Sequence, residues 1–338
     1  MPRCGSQVVL CDVPIRYDTY VGCSHLCQYC FVQKKIDVFN NIKDGESIEV
    51  LKNFIAGMRT AELRWCDWDI PLHWGGMSDP FQPVERERGR SLEALKVLHK
   101  AHYPFIVSTK NKLISEEPYF SLIKESNCVV QFSAACPEYN EIERGASTFE
   151  ERVEAARKLS PYVRVNIRVQ PYIPQYFESI MKSIDIFHEA GVHGCIFEGI
   201  KYVKAVPGTF RMQGDNVYPS ALYKKHFKQF KAKLHSLGMK FYCGENRLRG
   251  MSDELCCCGI EGMGWKENKA NLNHYLYDRE NFKFEASQRE PKTASPFTTL
   301  VQNAGSRGLG QESYEDIMTL CTKDRGMIKN LVEDGVIK

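Results

Sequence analysis

Apolar positions along the chain follow two alternating rhythms. Seven short runs rich in β-branched and aromatic residues, at 16–22, 70–76, 105–109, 129–134, 163–170, 194–198 and 240–243, predict strands. Between them the period lengthens to that of a helix. Residues 48–64 set Val50, Leu51, Phe54, Ile55, Met58 and Leu63 near one face, and residues 90–101 do the same with Leu92, Ala94, Leu95 and Leu98. Residues 176–190 and 221–237 are also helical in pattern; in the second, Tyr223, Phe227, Phe230, Leu234 and Leu237 step by 4, 3, 4 and 3. Thr148 opens another helix with capping-box spacing, Glu151 standing three residues on. Strands alternating with helices make βα units on a parallel sheet. Six or seven units between residues 16 and 245 suit an α/β full or partial barrel better than a small open sheet, with a doubly wound sheet as the other arrangement. In a barrel the working residues sit at the strand C-terminal ends. That puts 22–30, 75–82, 108–111, 134–136 and 170–174 on one rim.

After Gly250 the pattern changes. Residues 255–273 are rich in Cys, Gly, Asn and Lys, residues 285–307 are polar, and two short helices are expected near 312–320 and 327–333. The chain therefore divides into a lead-in (1–11), a core barrel (12–246) and a Cys-containing C-terminal extension (247–338), expected to cover the active site. The 338 residues, 43% hydrophobic and 26% charged, are enough to bury a large core. No segment approaches the ~18 uninterrupted apolar residues of a membrane span. Met1-Pro2-Arg3-Cys4 lacks the apolar core of a signal peptide. A cytoplasmic protein with no membrane partner is expected.

Fourteen cysteines are many for such a chain. With no export signal, reduced thiols serving as metal ligands are a better reading than disulfides. The decisive segment is Gly22-Cys23-Ser24-His25-Leu26-Cys27-Gln28-Tyr29-Cys30-Phe31, C-x3-C-x2-C directly after a predicted strand. Three thiolates on one tight loop can hold three irons of a [4Fe–4S] cluster and leave the fourth iron open to another ligand. The rival is a zinc knuckle, for which only His25 stands near enough to complete the set.

This loop, with Tyr29 before the last Cys, resembles the cluster loop of the radical S-adenosylmethionine (SAM) superfamily. The resemblance implies a partial (β/α)6 barrel. It implies that SAM on the open iron is reductively cleaved to a 5′-deoxyadenosyl radical that abstracts hydrogen. It also implies an electron donor such as flavodoxin or ferredoxin, and sensitivity to oxygen. A narrower resemblance, over roughly residues 15–200, is to the spore photoproduct lyase-like branch. It is carried by 20–33, by Trp74-Gly75-Gly76-Met77-Ser78-Asp79, by 106–110, and by Gln131-Phe132-Ser133 with 142–152. Position by position it implies that Ser78, Lys110 and Ser133 contact SAM, with Tyr29 from the cluster loop. Chemistry agrees: the Lys110 ammonium can neutralise a carboxylate, the hydroxyls can bond amino-acid or ribose groups, and Gly75-Gly76 lets backbone approach the methionine closely. In that branch the second-strand motif carries a hydrogen-donor cysteine; Gly76 stands there in this chain, so the same repair cycle is not expected.

Arg168 and Gln170 end the fifth predicted strand and 244–247 the last, as SAM or substrate contacts or as ion pairs within the barrel. For Cys256-Cys257-Cys258 three readings compete: packing, a second cluster or metal, and a catalytic thiol at Cys257 or Cys258. Cys4, Cys11, Cys66, Cys128, Cys136, Cys195 and Cys321 read as core. The net charge of +3 names no partner, but residues 201–240 hold nine Lys/Arg against Asp215 alone. That is a solvated outer helix or a phosphate-tracking face. The substrate is expected to be a nucleobase or nucleic acid; a peptide or small molecule, and a non-catalytic zinc or iron–sulfur protein, are the alternatives.

Overall fold

The structure is a computed structural model that describes residues 2–4, 6–34, 41–212, 215–278, 280–283, 286–287, 293, 295 and 297–298. The helices expected near 312–320 and 327–333, and Cys321, lie outside the described residues. All seven predicted strands are present: β1 (Ile15–Tyr17), β2 (Leu72–Trp74), β3 (Phe105–Thr109), β4 (Cys128–Ser133), β5 (Arg164–Tyr172), β6 (Gly194–Gly199) and β7 (Lys240–Cys243). They pair in parallel in chain order, and Arg3–Cys4 adds an antiparallel edge beside β1. No ladder among the described residues joins β7 back to β1. The sheet is a partial barrel, and the doubly wound alternative is excluded, because strand order follows chain order without reversal.

The helices are α1 (Ile48–Ile55), α2 (Arg90–Lys100), α3 (Tyr119–Ile123), α4 (Phe149–Leu159), α5 (Phe177–Glu189), α6 (Ser220–Ser236) and α7 (Leu272–Tyr277). The helix predicted over 48–64 stops early: Gly57 adopts φ 92°, the positive-φ stop that ends helices, and Ala61–Leu63 follows as a separate 3-10 turn. The capping box on α4 forms, Thr148 Oγ1 accepting from Glu151 N while Glu151 accepts from Thr148 N. On α6, Tyr223, Phe227, Phe230 and Leu234 are buried against the aromatic face of Tyr172, Phe197 and Phe241.

Strand alternation sorts the side chains. Trp74, Phe105, Val107, Val130, Phe132, Val165, Ile167 and Phe197 face the helices and make the main core. Their neighbours, His73, Ser108, Gln131, Asn166 and Arg168, face the lumen and are polar.

The described part of the C-terminal extension runs along the sheet edge and the floor of the barrel. Asp253 N donates to Phe241 O at 2.9 Å and Cys243 N to Ser252 Oγ at 3.0 Å, so the chain descends along the open edge of β7. Residues 256–261 then cross the floor of the lumen. Gln131 Nε2 donates to Cys258 O at 2.9 Å, and Arg164 donates to Gly259 O and Glu261 O at 3.2 and 2.6 Å. Cys256, Cys258 and Ile260 pack there with Val13, Ile106 and Val129. The physical reason is the incomplete sheet, whose free edge and open floor carry backbone polar groups and apolar surface that need partners. Cys11, expected in the core, is half-buried and its thiol meets Cys258. Cys66, Cys128, Cys136 and Cys195 are buried as expected. No described helix is long and apolar enough to cross a membrane.

Candidate active site

The loop after β1 carries the three thiols at the C-terminal mouth of the barrel. It turns at Gly22, whose φ of 95° disfavours any side chain. Two neighbouring loops brace it. After β4, Ile142 O accepts from Gln28 N and His25 O from Gly145 N, both at 2.9 Å, and His25 Nδ1 lies 2.9 Å from Gly145 O. A Cβ on Gly145 would stand 2.2 Å from Ser24 O, so the two backbones touch only because position 145 has no side chain. After β2, Gln82 accepts from Ser24 N and donates to Gly22 O, each at 3.0 Å, while Asp79 Oδ2 lies 3.0 Å from His25 Nε2. Nδ1 of His25 thus meets the backbone after β4, and Nε2 sits at ion-pair distance from Asp79.

The twelve cysteines whose side chains are described are all reduced. Cys23, Cys27 and Cys30 are electrostatic neighbours, with Cys27 buried and the other two half-buried. Burial pushes Cys23 up to about 12 and raises Cys27 as well, the latter against the pull of Lys110. A cluster or metal bound here would displace those thiol protons. The donor set, three adjacent thiols with no fourth protein ligand grouped with them among the described residues, fits three irons of a [4Fe–4S] cluster.

Glu143 organises the ground beneath the loop. Tyr29 donates its hydroxyl proton to Glu143 Oε1, Arg152 donates to Oε2 at 2.5 Å, and Lys110 Nζ lies 3.6 Å from Oε1. Burial alone would raise Glu143; Arg152 and then Lys110 hold it below the usual carboxylate range. Two cations against one carboxylate leave this ground net positive.

A polar network lines the lumen. Arg168 donates to Gln131 Oε1 at 2.8 Å and to Ser108 Oγ at 3.2 Å, and meets His73 Nε2 at 3.3 Å. It also bonds Gln170, whose Nε2 donates to Glu198 at 2.5 Å; Lys201 donates to Glu198 at 2.9 Å. Burial first, then Arg168 and Arg16, lowers His73 well below its usual value, so it is neutral at pH 7. Arg16 has no hydrogen-bond partner for Nε, and Gly76 opens beside it, the nearest Arg16 atom 3.6 Å from where a Cβ would be. Gly75 is obligatory: its φ is 88° and a Cβ would stand 2.5 Å from Ser108 O.

No family model matches the chain. Two mycobacterial relatives, Uncharacterized protein Rv2578c of Mycobacterium tuberculosis and Uncharacterized protein Mb2609c of Mycobacterium bovis, are each 27% identical over 180 residues, 49% of this chain and 52% of theirs. The chain thus matches about half the length of these relatives. Among solved structures, a spore photoproduct lyase double mutant with bound AdoMet and dinucleoside spore photoproduct aligns over 68% of this chain and 76% of its own, with a TM-score of 0.56 at 13% identity. A spore photoproduct lyase complexed with dinucleoside spore photoproduct gives 0.55 at 14% over the same shares. The fold is that of spore photoproduct lyase. The radical SAM type of partial barrel expected from the cysteine loop is therefore the architecture this chain adopts.

The structure gathers most of the residues singled out in the sequence, in differing roles. Cys23, Cys27 and Cys30 come together. Tyr29 and Lys110 meet on Glu143, the ammonium 5.8 Å over the Tyr29 ring. Ser78 Oγ donates to Tyr20 O at 2.6 Å, holding the entry to the loop. Ser133 ends β4, its carbonyl accepting from Arg152 at 2.5 Å. Of the two thiols put forward for catalysis, Cys257 lies beside Arg249 and Arg168; hydrogen bonding to Cys258, then Arg249, lowers it well below an ordinary thiol. Cys258 is only 3% exposed and packs in the apolar floor cluster. Glu143 and Arg16 were not singled out. An isolated charge between Ile15 and Tyr17 is the period-two signal that points to Arg16; Glu143 has no such signal, because Tyr29 and Lys110 reach it from distant segments and only Arg152, nine residues on, is near in the chain.

Proposed function

We propose that this chain is a radical SAM enzyme. The observation that carries the reading is the braced loop of three thiols at the C-terminal mouth of a barrel with the spore photoproduct lyase fold. Cys23, Cys27 and Cys30 would ligate a [4Fe–4S] cluster. When bound, that cluster with SAM supplies one-electron reductive cleavage and a 5′-deoxyadenosyl radical. The chain's own residues do the rest. Gly75-Gly76 leaves room at the mouth for close backbone approach. Lys110, with Glu143 already compensated by Arg152, offers positive charge to a carboxylate, and Ser133 and Ser78 offer hydroxyls. Arg168 and Arg16 make the lumen cationic, which favours an anionic ligand portion there. Cys257 is a thiol within the same charged interior, available as a redox or hydrogen-donating group. The closed floor keeps water from the lumen's lower end. The electron is taken from a flavodoxin or ferredoxin-type donor; Val21, Leu26 and Phe31, exposed around the cluster loop, offer it an apolar landing.

For the substrate, a nucleobase or nucleic acid is favoured by the dinucleoside ligand of the lyase structures and by Lys224, Lys225 and Lys228, which are exposed on α6. A peptide or small molecule is the alternative that the same assay addresses. The test is anaerobic: reconstitute with iron and sulfide, reduce with dithionite, add SAM, and quantify 5′-deoxyadenosine beside Cys27→Ala. Product from the wild type and none from Cys27→Ala supports the reading. No product from a protein that takes up zinc instead of iron sinks it, leaving a non-catalytic metalloprotein.

A further inference from the structure

Away from the mouth, on the N-terminal side of the barrel, the fold assembles a second set of metal-ligating side chains. Asp12 stands before β1, Cys256 on the floor segment and Glu267 on the stretch leading to α7. One donor atom of each, two carboxylate oxygens and a thiol sulfur, lies within 4.8 Å of the others. Asp12 is 3% exposed and Cys256 8%. The Asp12 and Glu267 carboxyls face each other at hydrogen-bonding range. Asp12 is fixed in place: Asn271 Nδ2 donates to Oδ1 at 2.8 Å, and His274 Nε2 lies 2.8 Å from Oδ2. That is the outer support that aims a ligating carboxylate. A cavity of ≈ 570 Å³, lined in part by Asp12, Cys256, Glu267 and His274, opens on the group and has room for water as a further ligand.

We propose that Asp12, Cys256 and Glu267 bind one divalent transition-metal ion, zinc by preference, which clamps the C-terminal extension to the entry of β1. The thiolate argues for zinc over magnesium or calcium, which take oxygen alone. Zinc bonds of about 2.0–2.3 Å bring donor atoms to roughly 3.3–3.8 Å apart, a small side-chain adjustment from their positions here. The N-terminal face of such a barrel serves stability rather than chemistry, so the role is structural. The clamp sits where it is needed: Asn268 N donates to Asp12 O at 2.8 Å and Asn273 Nδ2 to Leu10 O at 2.6 Å, joining segments about 260 positions apart in sequence.

The test starts from the full chain carrying Cys23→Ala, Cys27→Ala and Cys30→Ala, so that the cluster loop contributes no metal. After zinc chloride loading and desalting under anaerobic conditions, one zinc per chain is expected by mass spectrometry, with a rise in unfolding temperature. Adding Glu267→Gln or Cys256→Ser should weaken zinc binding more than tenfold and remove that rise. As a second readout, cobalt(II) should give a thiolate charge-transfer band that Cys256→Ser abolishes. Three results overturn the site: no zinc retained by the starting variant, no cobalt thiolate band from it, or zinc retained undiminished by Glu267→Gln. The last would mean that Cys11, Cys256 and Cys258 hold the metal by sulfur alone. Far-ultraviolet dichroism equal to the starting variant establishes that loss of zinc is not loss of fold.

Discussion

Two single residues set the geometry of the cluster loop. Gly145 lets the loop backbone lie directly on the turn after β4, and adding one methyl brings carbon within 2.2 Å of Ser24 O. Overpacking of that kind costs about 1–3 kcal/mol, and here the cheapest relief is to move the loop. Gly145→Ala is therefore expected to lower iron per chain sharply after reconstitution while circular dichroism stays near wild type, both measured on the same sample. Glu143 is the second. It is 3% exposed and compensates Arg152, which is wholly buried. Removing one member of a buried pair costs about 3–5 kcal/mol because the remaining charge is stranded. Glu143→Gln should lower the unfolding free energy by about that amount in urea titrations, and should also release Tyr29. A change under 1 kcal/mol would mean that Arg152 finds another partner.

Among elements, the floor segment is tied to three strands through one carboxylate. Glu261 Oε1 meets His193 Nε2 at 2.8 Å before β6, accepts from Tyr242 Oη on β7 at 2.6 Å, and lies 3.7 Å from Arg164 on β5. Burial alone would raise its pKa; His193 and Tyr242 overcome that and hold it at about 2. A carboxylate with a lowered native pKa stabilises the fold above its unfolded value of about 4.3 and loses that contribution as pH falls toward the native value. The denaturation midpoint should therefore fall between about pH 5 and pH 2, and Glu261→Gln should flatten that slope. An unchanged slope would place the acid sensitivity elsewhere. The same elements show what was legible in the chain. Strand positions followed from the β-rich runs, but the first run, 16–22, enters the main sheet only over Ile15–Tyr17, while Tyr20–Val21 pairs with Lys43–Asp44. The long first helix did not, because a helical period continues past Gly57 while the backbone there turns away.

At the scale of the whole molecule, the mouth is cationic and α6 presents Lys224, Lys225 and Lys228 to solvent, while Lys231 and Lys233 are paired with Asp253 and Asp185. If α6 tracks phosphates, Lys224→Gln, Lys225→Gln and Lys228→Gln together should reduce the slope of log affinity against log salt by about 3 for duplex DNA, or somewhat less for single strands. No change in slope would leave α6 a solvated outer helix and favour a peptide or small-molecule substrate. The seven strands, their parallel order, the capping box of α4 and the three-thiol loop were determined by sequence alone, since each depends on residues close together in the chain. Tertiary structure decided the rest. It carried the described part of the extension along the open sheet edge to the floor, where an unpaired edge and an unfilled lumen had to be satisfied. It set Glu143 beneath the cluster loop and brought Asp12 to Cys256 and Glu267. Those juxtapositions join segments more than a hundred residues apart, and only the closing of the barrel brings them within bonding distance.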